Sequence, residues 1–321
     1  MKKILLVATG GTIASRKTEN GLTPAASGEE LLAAVPEISD VAIDTINLFA
    51  LDSTNVCPRH WQKIAGVIAE KYGAYDGIVV THGTDTMAYT AAALYYMLEN
   101  IPVPVAVTGS MLPLSAENTD AKENLAAALR VAASERPGVY LVFAGKIILG
   151  KSAKKLYAEN KDAFSSINHE LAGEIERGEI KWREPAKLLG DFLLHSELNE
   201  NVAVLKATPG MSPEIIRALV DAGYGAIIIE GFGAGGLPSA EEYSFLPALK
   251  YAKKRNTLII LTTQCVFDGA NLDIYEVGVL AERAGVISGG SLTTEALLAL
   301  SMLVLGEGKG EKLREFIAKE G

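Results

Sequence analysis

Apolar residues follow two rhythms along this chain. Short unbroken runs such as Ile4-Leu5-Leu6-Val7, Ile78-Val79-Val80 and Ile227-Ile228-Ile229 are bounded by glycine or polar residues, and such runs suit strands buried on both faces. They predict strands over 3–8, 77–81, 103–108, 139–144, 202–206, 226–230 and 258–262. Between them, helical spacing predicts helices over 28–35, 58–71, 87–99, 119–134, 213–222, 239–253 and 293–305, several with Ser, Thr or Asp near the start. Strands alternating with helices build βαβ units, so the expected class is α/β. The rhythm breaks over 183–201, where Pro185, Gly190 and mixed charges intervene. Residues 1–182 are therefore expected to form a larger N-terminal domain with a mainly parallel sheet flanked by helices. Residues 183–201 are expected to be a linker, and 202–321 a smaller C-terminal parallel α/β domain.

Composition narrows the function. With 49% hydrophobic and 21% charged residues among 321, the chain has enough apolar content for a sizeable core and lacks the signature of disorder. A net charge of -9 has the wrong sign for neutralising phosphates, so a nucleic-acid partner is not expected. Cys57 and Cys265, the two cysteines, make neither a disulfide framework nor a zinc spacing, which suits a reducing, cytoplasmic location. The first apolar run is short, and Gly10-Gly11-Thr12 is no cleavage site, so it reads as a strand rather than a signal peptide. The longest uncharged stretch, 100–116, carries Pro102, Pro104 and Pro113 and is no membrane helix.

Candidate chemistry gathers at strand ends. The first strand runs into Thr9-Gly10-Gly11-Thr12-Ile13-Ala14, where two glycines allow a tight turn and close backbone approach, and a hydroxyl faces the crevice in which α/β sheets bind ligands. A plain strand-to-loop turn is the alternative, and the third glycine of a dinucleotide fingerprint is missing. A second strand ends in Thr81-His82-Gly83-Thr84-Asp85-Thr86. That density of polar groups suits a site, although any one of Thr84, Asp85 or Thr86 also suits a helix cap. His82 has no histidine or cysteine neighbour at metal spacing and reads as structural. Gly145-Lys-Ile-Ile-Leu-Gly150-Lys151-Ser152 satisfies the phosphate-loop expression, but Ile147-Ile148-Leu149 is apolar and β-branched and reads as a strand or hairpin edge. Nucleotide hydrolysis and a non-enzymatic binding module are the alternatives to the reading that follows.

Thr-Gly-Gly-Thr-Ile-Ala near residue 10 and His-Gly-Thr-Asp-Thr-Met near residue 85, followed by Val107-Thr108-Gly109-Ser110-Met111 and Asp162-Ala163-Phe164, resemble the bacterial-type L-asparaginase family in order and spacing over essentially the whole chain. The short amino terminus is most similar to the cytoplasmic type I members. Archaeal glutamyl-tRNA amidotransferase subunits share the motifs but carry an additional amino-terminal domain, for which 321 residues are expected to leave no room. The resemblance implies hydrolysis of L-asparagine to L-aspartate and ammonia, with weak glutaminase activity and no metal or organic cofactor. It implies Thr12 as nucleophile forming an acyl-enzyme, and Thr84, Asp85 and Lys155 as a second catalytic group in which Asp85 also holds the substrate's α-ammonium. Lys155, rather than Lys154, is the fifth residue after Gly150 and matches the family's lysine. Ser53 and Thr54 fall where the family binds the substrate α-carboxylate, and Gly11 and Thr84 are the candidate backbone donors to the oxyanion.

The family's sites lie between subunits, so a homodimer or homotetramer is expected, with Asn271 the candidate residue donated by a neighbour. Two positions depart from the family. Glu230 stands where a well-known type I pattern has arginine, which puts allosteric control in doubt, and Leu22 stands where many members have a tyrosine. Leu22 has no proton to exchange and is expected to be an apolar contact of a loop closing over the site.

Overall fold

The computed structural model describes residues 1–18, 21–24, 26–33, 41–183 and 188–320, with only the backbone of 16–18 and 21–24. The chain divides into two compact units, Met1–Ser196 and Glu197–Gly321. Both are α/β.

In the first unit, the described residues form an eight-stranded sheet in the order Glu179–Trp182, Gly173–Glu176, Lys146–Leu149, Gly138–Phe143, Pro104–Thr108, Gly77–Thr81, Lys2–Gly10 and Val41–Leu51. From Gly138–Phe143 to Val41–Leu51 the neighbours are parallel, and the three junctions on the other side are antiparallel. The unbroken apolar runs occupy the middle: Ile4 to Val7, Ile78 to Val80 and Val105 to Val107 are all fully buried, as strands covered on both faces must be. Helix Ala121–Ala132 packs on this sheet through Leu125, Ala128 and Leu129.

Several elements depart from the sequence pattern, each for a local reason. Strand Val41–Leu51 has no counterpart in that pattern, because Asp44, Thr45 and Asn47 break both alternation and continuity; it is a half-buried edge. The helix from Met87 ends at Met97 rather than 99, since Leu98–Glu99 pair antiparallel with Leu193–Leu194. In the second unit a helix expected from 239 begins only at Leu246, preceded by a short turn at Glu241–Tyr243; Pro247, which has no N–H to give, stands in the first helical turn, where none is needed. Helices Glu276–Arg283 and Leu313–Glu320 are each eight residues and too short for their periodicity to stand out.

The second unit carries a parallel sheet, Val202–Lys206, Ala226–Gly231, Leu258–Thr263 and Ile287–Ser288, around a core of Ile216, Ile227, Ile229, Leu249, Leu261 and Val286. Glu230 sits inside this unit, its carboxylate accepting the Thr294 hydroxyl at 2.7 Å. No helix among the described residues is long and apolar enough to cross a membrane.

Packing leaves no space at Gly77, where a Cβ would stand 1.9 Å from the Ala132 carbonyl oxygen, whereas nothing lies within 4 Å of a Cβ at Gly66 in helix Pro58–Lys71. Gly77→Ala is therefore expected to cost about 3 kcal/mol by urea denaturation, and Gly66→Ala to stabilise by up to about 1 kcal/mol through helix propensity.

Candidate active site

The site is assembled by glycines at the carboxyl ends of adjacent strands. Strands Lys2–Gly10 and Gly77–Thr81 are parallel neighbours in register Ala8 to Thr81, so the two polar loops leave the sheet side by side. Gly10 and Gly11 take φ values of 103° and 81°, a region that side chains disfavour. A Cβ on Gly10 would lie 2.5 Å from Leu51 N, and one on Gly11 only 2.3 Å from Gly83 N. Backbone therefore packs on backbone between Gly11 and Gly83, with partly exposed Thr12 one residue beyond the first and buried Thr84 one beyond the second. Ser15 closes the first loop by donating its hydroxyl to the Gly11 carbonyl at 2.9 Å.

Lys155 reaches this loop from another direction. It ends the short strand Ala153–Lys155, paired antiparallel with Phe164–Ser166 so that Lys155 faces Phe164. Its Nζ donates to Thr84 Oγ1 at 2.9 Å and to Asp85 Oδ1 at 2.6 Å. The Lys155 side chain is 16% exposed and that of Asp85 57%, so the pair spans the boundary between protein and solvent. Lys146 supports the hairpin: its Nζ binds Asp162 Oδ1 at 2.5 Å and the Phe164 carbonyl at 3.2 Å. None of these supports is evident from the sequence, although Asp162 belongs to the Asp162-Ala163-Phe164 motif.

Ser53 and Thr54 follow edge strand Val41–Leu51 in a short turn, Ser53–Asn55. Ser53 is buried, and a Cβ on Gly83 would stand 2.6 Å from its Oγ, which brings it to the same loop. Thr54 is exposed and turned to Asp52, whose Oδ1 accepts the Thr54 N–H at 2.9 Å and hydroxyl at 2.7 Å; these bonds hold the Asp52 carboxyl below its usual range. Thr86 precedes helix Met87–Met97 but makes no side-chain cap; its hydroxyl donates to the Ser53 carbonyl at 2.7 Å. Asn271 lies in the second unit, exposed, with its Oδ1 accepting Asp273 N–H at 3.2 Å. The side chain of Leu22 is outside the described residues; its backbone pairs with Lys17 in a two-stranded hairpin.

His82 organises the loop from beneath. The fully buried ring meets the Gly83 carbonyl with Nδ1 at 2.8 Å and Thr90 Oγ1 with Nε2 at 3.0 Å. A carbonyl only accepts, so Nδ1 carries the hydrogen and Nε2 accepts the Thr90 hydroxyl, which in turn accepts Trp61 Nε1–H at 3.0 Å. On the far side, Asp120 accepts the N–H groups of Met111 and Leu112, while Asn124 donates to the Gly109 carbonyl and accepts Ala144 N–H. A Cβ at Gly109 would stand 2.2 Å from the His82 oxygen, so this third strand end buttresses the second.

The phosphate-loop match has a different structure. Its interior is strand Lys146–Leu149, antiparallel to Gly138–Phe143 across a two-residue turn at Ala144 and Gly145 with φ values of 49° and 76°. Gly150–Ser152 then forms a single short turn and opens no helix, so no cradle of converging N–H groups exists there.

Strand-end glycines holding a threonine against a Thr–Asp–Lys cluster, in a chain with a second parallel α/β unit, define a hydrolase of the asparaginase family, and the chain belongs to it. The family profile described as "Asparaginase, N-terminal" matches residues 3–188, and "Glutaminase/Asparaginase C-terminal domain" matches 201–316. The L-asparaginase of Thermococcus kodakarensis is 40% identical, with 99% of this chain and 97% of that protein aligned; its solved structure superposes with a TM-score of 0.93 at 39% identity, covering 98% and 96% of the two chains. L-asparaginase I of Vibrio cholerae superposes with a TM-score of 0.87 at 34% identity, covering 98% and 96%. A glutamyl-tRNA(Gln) amidotransferase subunit of Pyrococcus abyssi is 37% identical over 95% of this chain and 72% of its own length.

Burial holds the His82 imidazole at a pKa of about 4, below its ordinary 6.5. The folded ring stays neutral where the unfolded chain takes up a proton, so its contribution is complete above pH 6.5 and is lost as pH falls from there towards 4. The loss amounts to about 3 kcal/mol across that window. Urea denaturation at pH 7 and pH 4.5 should show a larger acid loss in the native protein than in His82→Gln, which has no proton to gain.

Proposed function

We propose that this chain hydrolyses L-asparagine to L-aspartate and ammonia through an ester on Thr12. The observation that carries the reading is Lys155 Nζ bonded to both Thr84 Oγ1 and Asp85 Oδ1, on a loop whose Gly83 touches the backbone of Gly11, the residue before Thr12. The similarity to an L-asparaginase, 40% identical over 99% of this chain, supports the substrate.

In this mechanism Thr12 Oγ1 attacks the side-chain carboxamide carbon as its proton passes to Thr84 Oγ1, whose own proton passes to the lone pair of Lys155 Nζ, which enters the step as the neutral amine. The backbone N–H of Thr84 receives the developing oxyanion, whereas the Gly11 N–H, expected from the sequence to share that role, is spent on the Leu51 carbonyl at 2.9 Å. The C–N bond breaks, the relay protonates the departing ammonia, and water then cleaves the β-aspartyl ester and restores the Thr12 hydroxyl. Asp85 holds the substrate's ammonium with the carboxylate edge that Lys155 leaves to solvent, and Ser53 and Thr54 hold its carboxylate. Thr54 must release Asp52 to take part, so Ser53 makes the stronger contribution.

No metal or organic cofactor enters this scheme. Asn271 comes from a neighbouring subunit of a homodimer or homotetramer, glutamine is a weak second substrate, and two unpaired thiols suit a cytoplasmic location.

Ammonia release without ATP or magnesium tests the reading directly. Thr12→Ala and Thr84→Ala are each expected to lose more than about a hundredfold in kcat/KM while remaining folded. Lys155→Met should be far more damaging than Lys154→Met, and equal rates for the two would overturn the relay. Asp85→Asn should raise KM and lower kcat together, because one carboxylate serves both the ammonium and the relay.

A further inference from the structure

The fully buried His82 ring is uncharged at neutral pH and carries a single N–H. Its Nδ1 lies 2.8 Å from the Gly83 carbonyl oxygen and its Nε2 3.0 Å from Thr90 Oγ1. The tautomer protonated on Nε2 would set the Nδ1 lone pair against that carbonyl oxygen, a repulsion that a dry interior does not screen. Thr90, itself fully buried, holds the other form: its oxygen accepts the Trp61 indole N–H at 3.0 Å and its hydrogen goes to Nε2.

A peptide plane carries this constraint one residue further. The Gly83 carbonyl and the Thr84 N–H belong to one peptide unit, and no cis bond occurs among the described residues, so the two groups point in opposite directions across a rigid plane. A donor that takes the carbonyl from the buried side therefore turns the Thr84 N–H away from the ring. No backbone carbonyl among the described residues takes the Thr84 N–H, whereas that of Gly11 is taken by Leu51.

We propose that His82 is a positioning residue for the reaction: through the Gly83 carbonyl it aims the Thr84 N–H at the developing oxyanion, and Thr90 holds the imidazole in the tautomer that does so. The proposal rests on the asparaginase reading above for the role of the Thr84 N–H, whereas the tautomer does not. The oxyanion forms only as the carboxamide is attacked, so a misaimed donor lowers kcat and leaves KM nearly unchanged. Asp85, which holds the substrate's ammonium in that reading, stands one residue beyond Thr84. A substitution that merely loosened the loop would displace Asp85 too and raise KM.

The test uses the full-length protein and two substitutions of equal shape. His82→Asn puts an amide N–H on Cγ where Nδ1 stands, and His82→Leu puts a methyl group there. Both leave the same gap where the ring was, so a purely structural histidine predicts equal losses. Positioning predicts that His82→Leu lowers kcat on asparagine by about tenfold or more, with KM within about twofold, and that His82→Asn recovers most of the loss. Equal kcat in the two folded variants, or a loss confined to KM, overturns the proposal. Thr90→Val keeps the ring and withdraws its donor; kcat should fall severalfold and return in Thr90→Ser, and an unchanged kcat in folded Thr90→Val overturns the role of Thr90. One measurement needs no variant. Nitrogen-15 NMR of the four histidines in the native protein at pH 7 should show a neutral imidazole protonated on Nδ1, and the absence of any such ring overturns the proposal. Native protein without asparagine turnover would instead overturn the asparaginase reading, and the same spectrum would still decide the tautomer.

Discussion

The contact on which the site depends is the approach of two backbones, Gly11 against Gly83, so close that a Cβ on the first would lie 2.3 Å from the second's nitrogen. Its effect reaches beyond one pair of residues. Gly83 also lies against Ser53 Oγ, Gly10 against Leu51, and Gly109 against the His82 carbonyl. The ends of four neighbouring parallel strands are thereby drawn together at the carboxyl edge of the sheet, the place where open α/β sheets bind ligands. A side chain at any of these glycines would push these strand ends apart.

Polar groups around that contact divide into two sets with different physics. Beneath it, Trp61, Thr90, His82 and the Gly83 carbonyl form a chain in which every donor meets an acceptor and no formal charge is buried. A neutral histidine is the low-cost solution in a dry interior. Above it, Lys155 and Asp85 stand at the rim, where solvent reaches the carboxylate. The Lys155–Asp85 pair thus stays at the solvent boundary, while a neutral network fixes the loop that carries Thr84. Lys155 owes its place to a hairpin that is itself pinned by Lys146 and Asp162.

Helix Pro58–Lys71 shows how one short segment serves several purposes. Trp61 on its buried face feeds the His82 chain, His60 accepts the backbone N–H of Cys57, and the turn before it presents Ser53. A substitution in this helix therefore acts on the site through backbone bonds as well as packing.

What the sequence determined by itself was whatever local patterning controls. The buried parallel strands are unbroken apolar runs, the helix over 58–71 carries its own periodicity, and the glycine-hydroxyl clusters at strand ends mark the edge where the candidate site lies. Tertiary structure decided what depends on distant partners. Strand Val41–Leu51 exists because Lys2–Gly10, paired with Gly77–Thr81 on one side, offers it the other, despite a pattern that is neither alternating nor continuous. The two residues after Met97 leave the helix for Leu193–Leu194, far along the chain. The Thr86 hydroxyl, locally suited to capping, goes to Ser53 instead. Pairing, burial and hydrogen-bond satisfaction are settled between segments remote in sequence, so the residues that place Thr84 and Lys155, namely Thr90, Trp61, Lys146 and Asn124, left no local mark of that role.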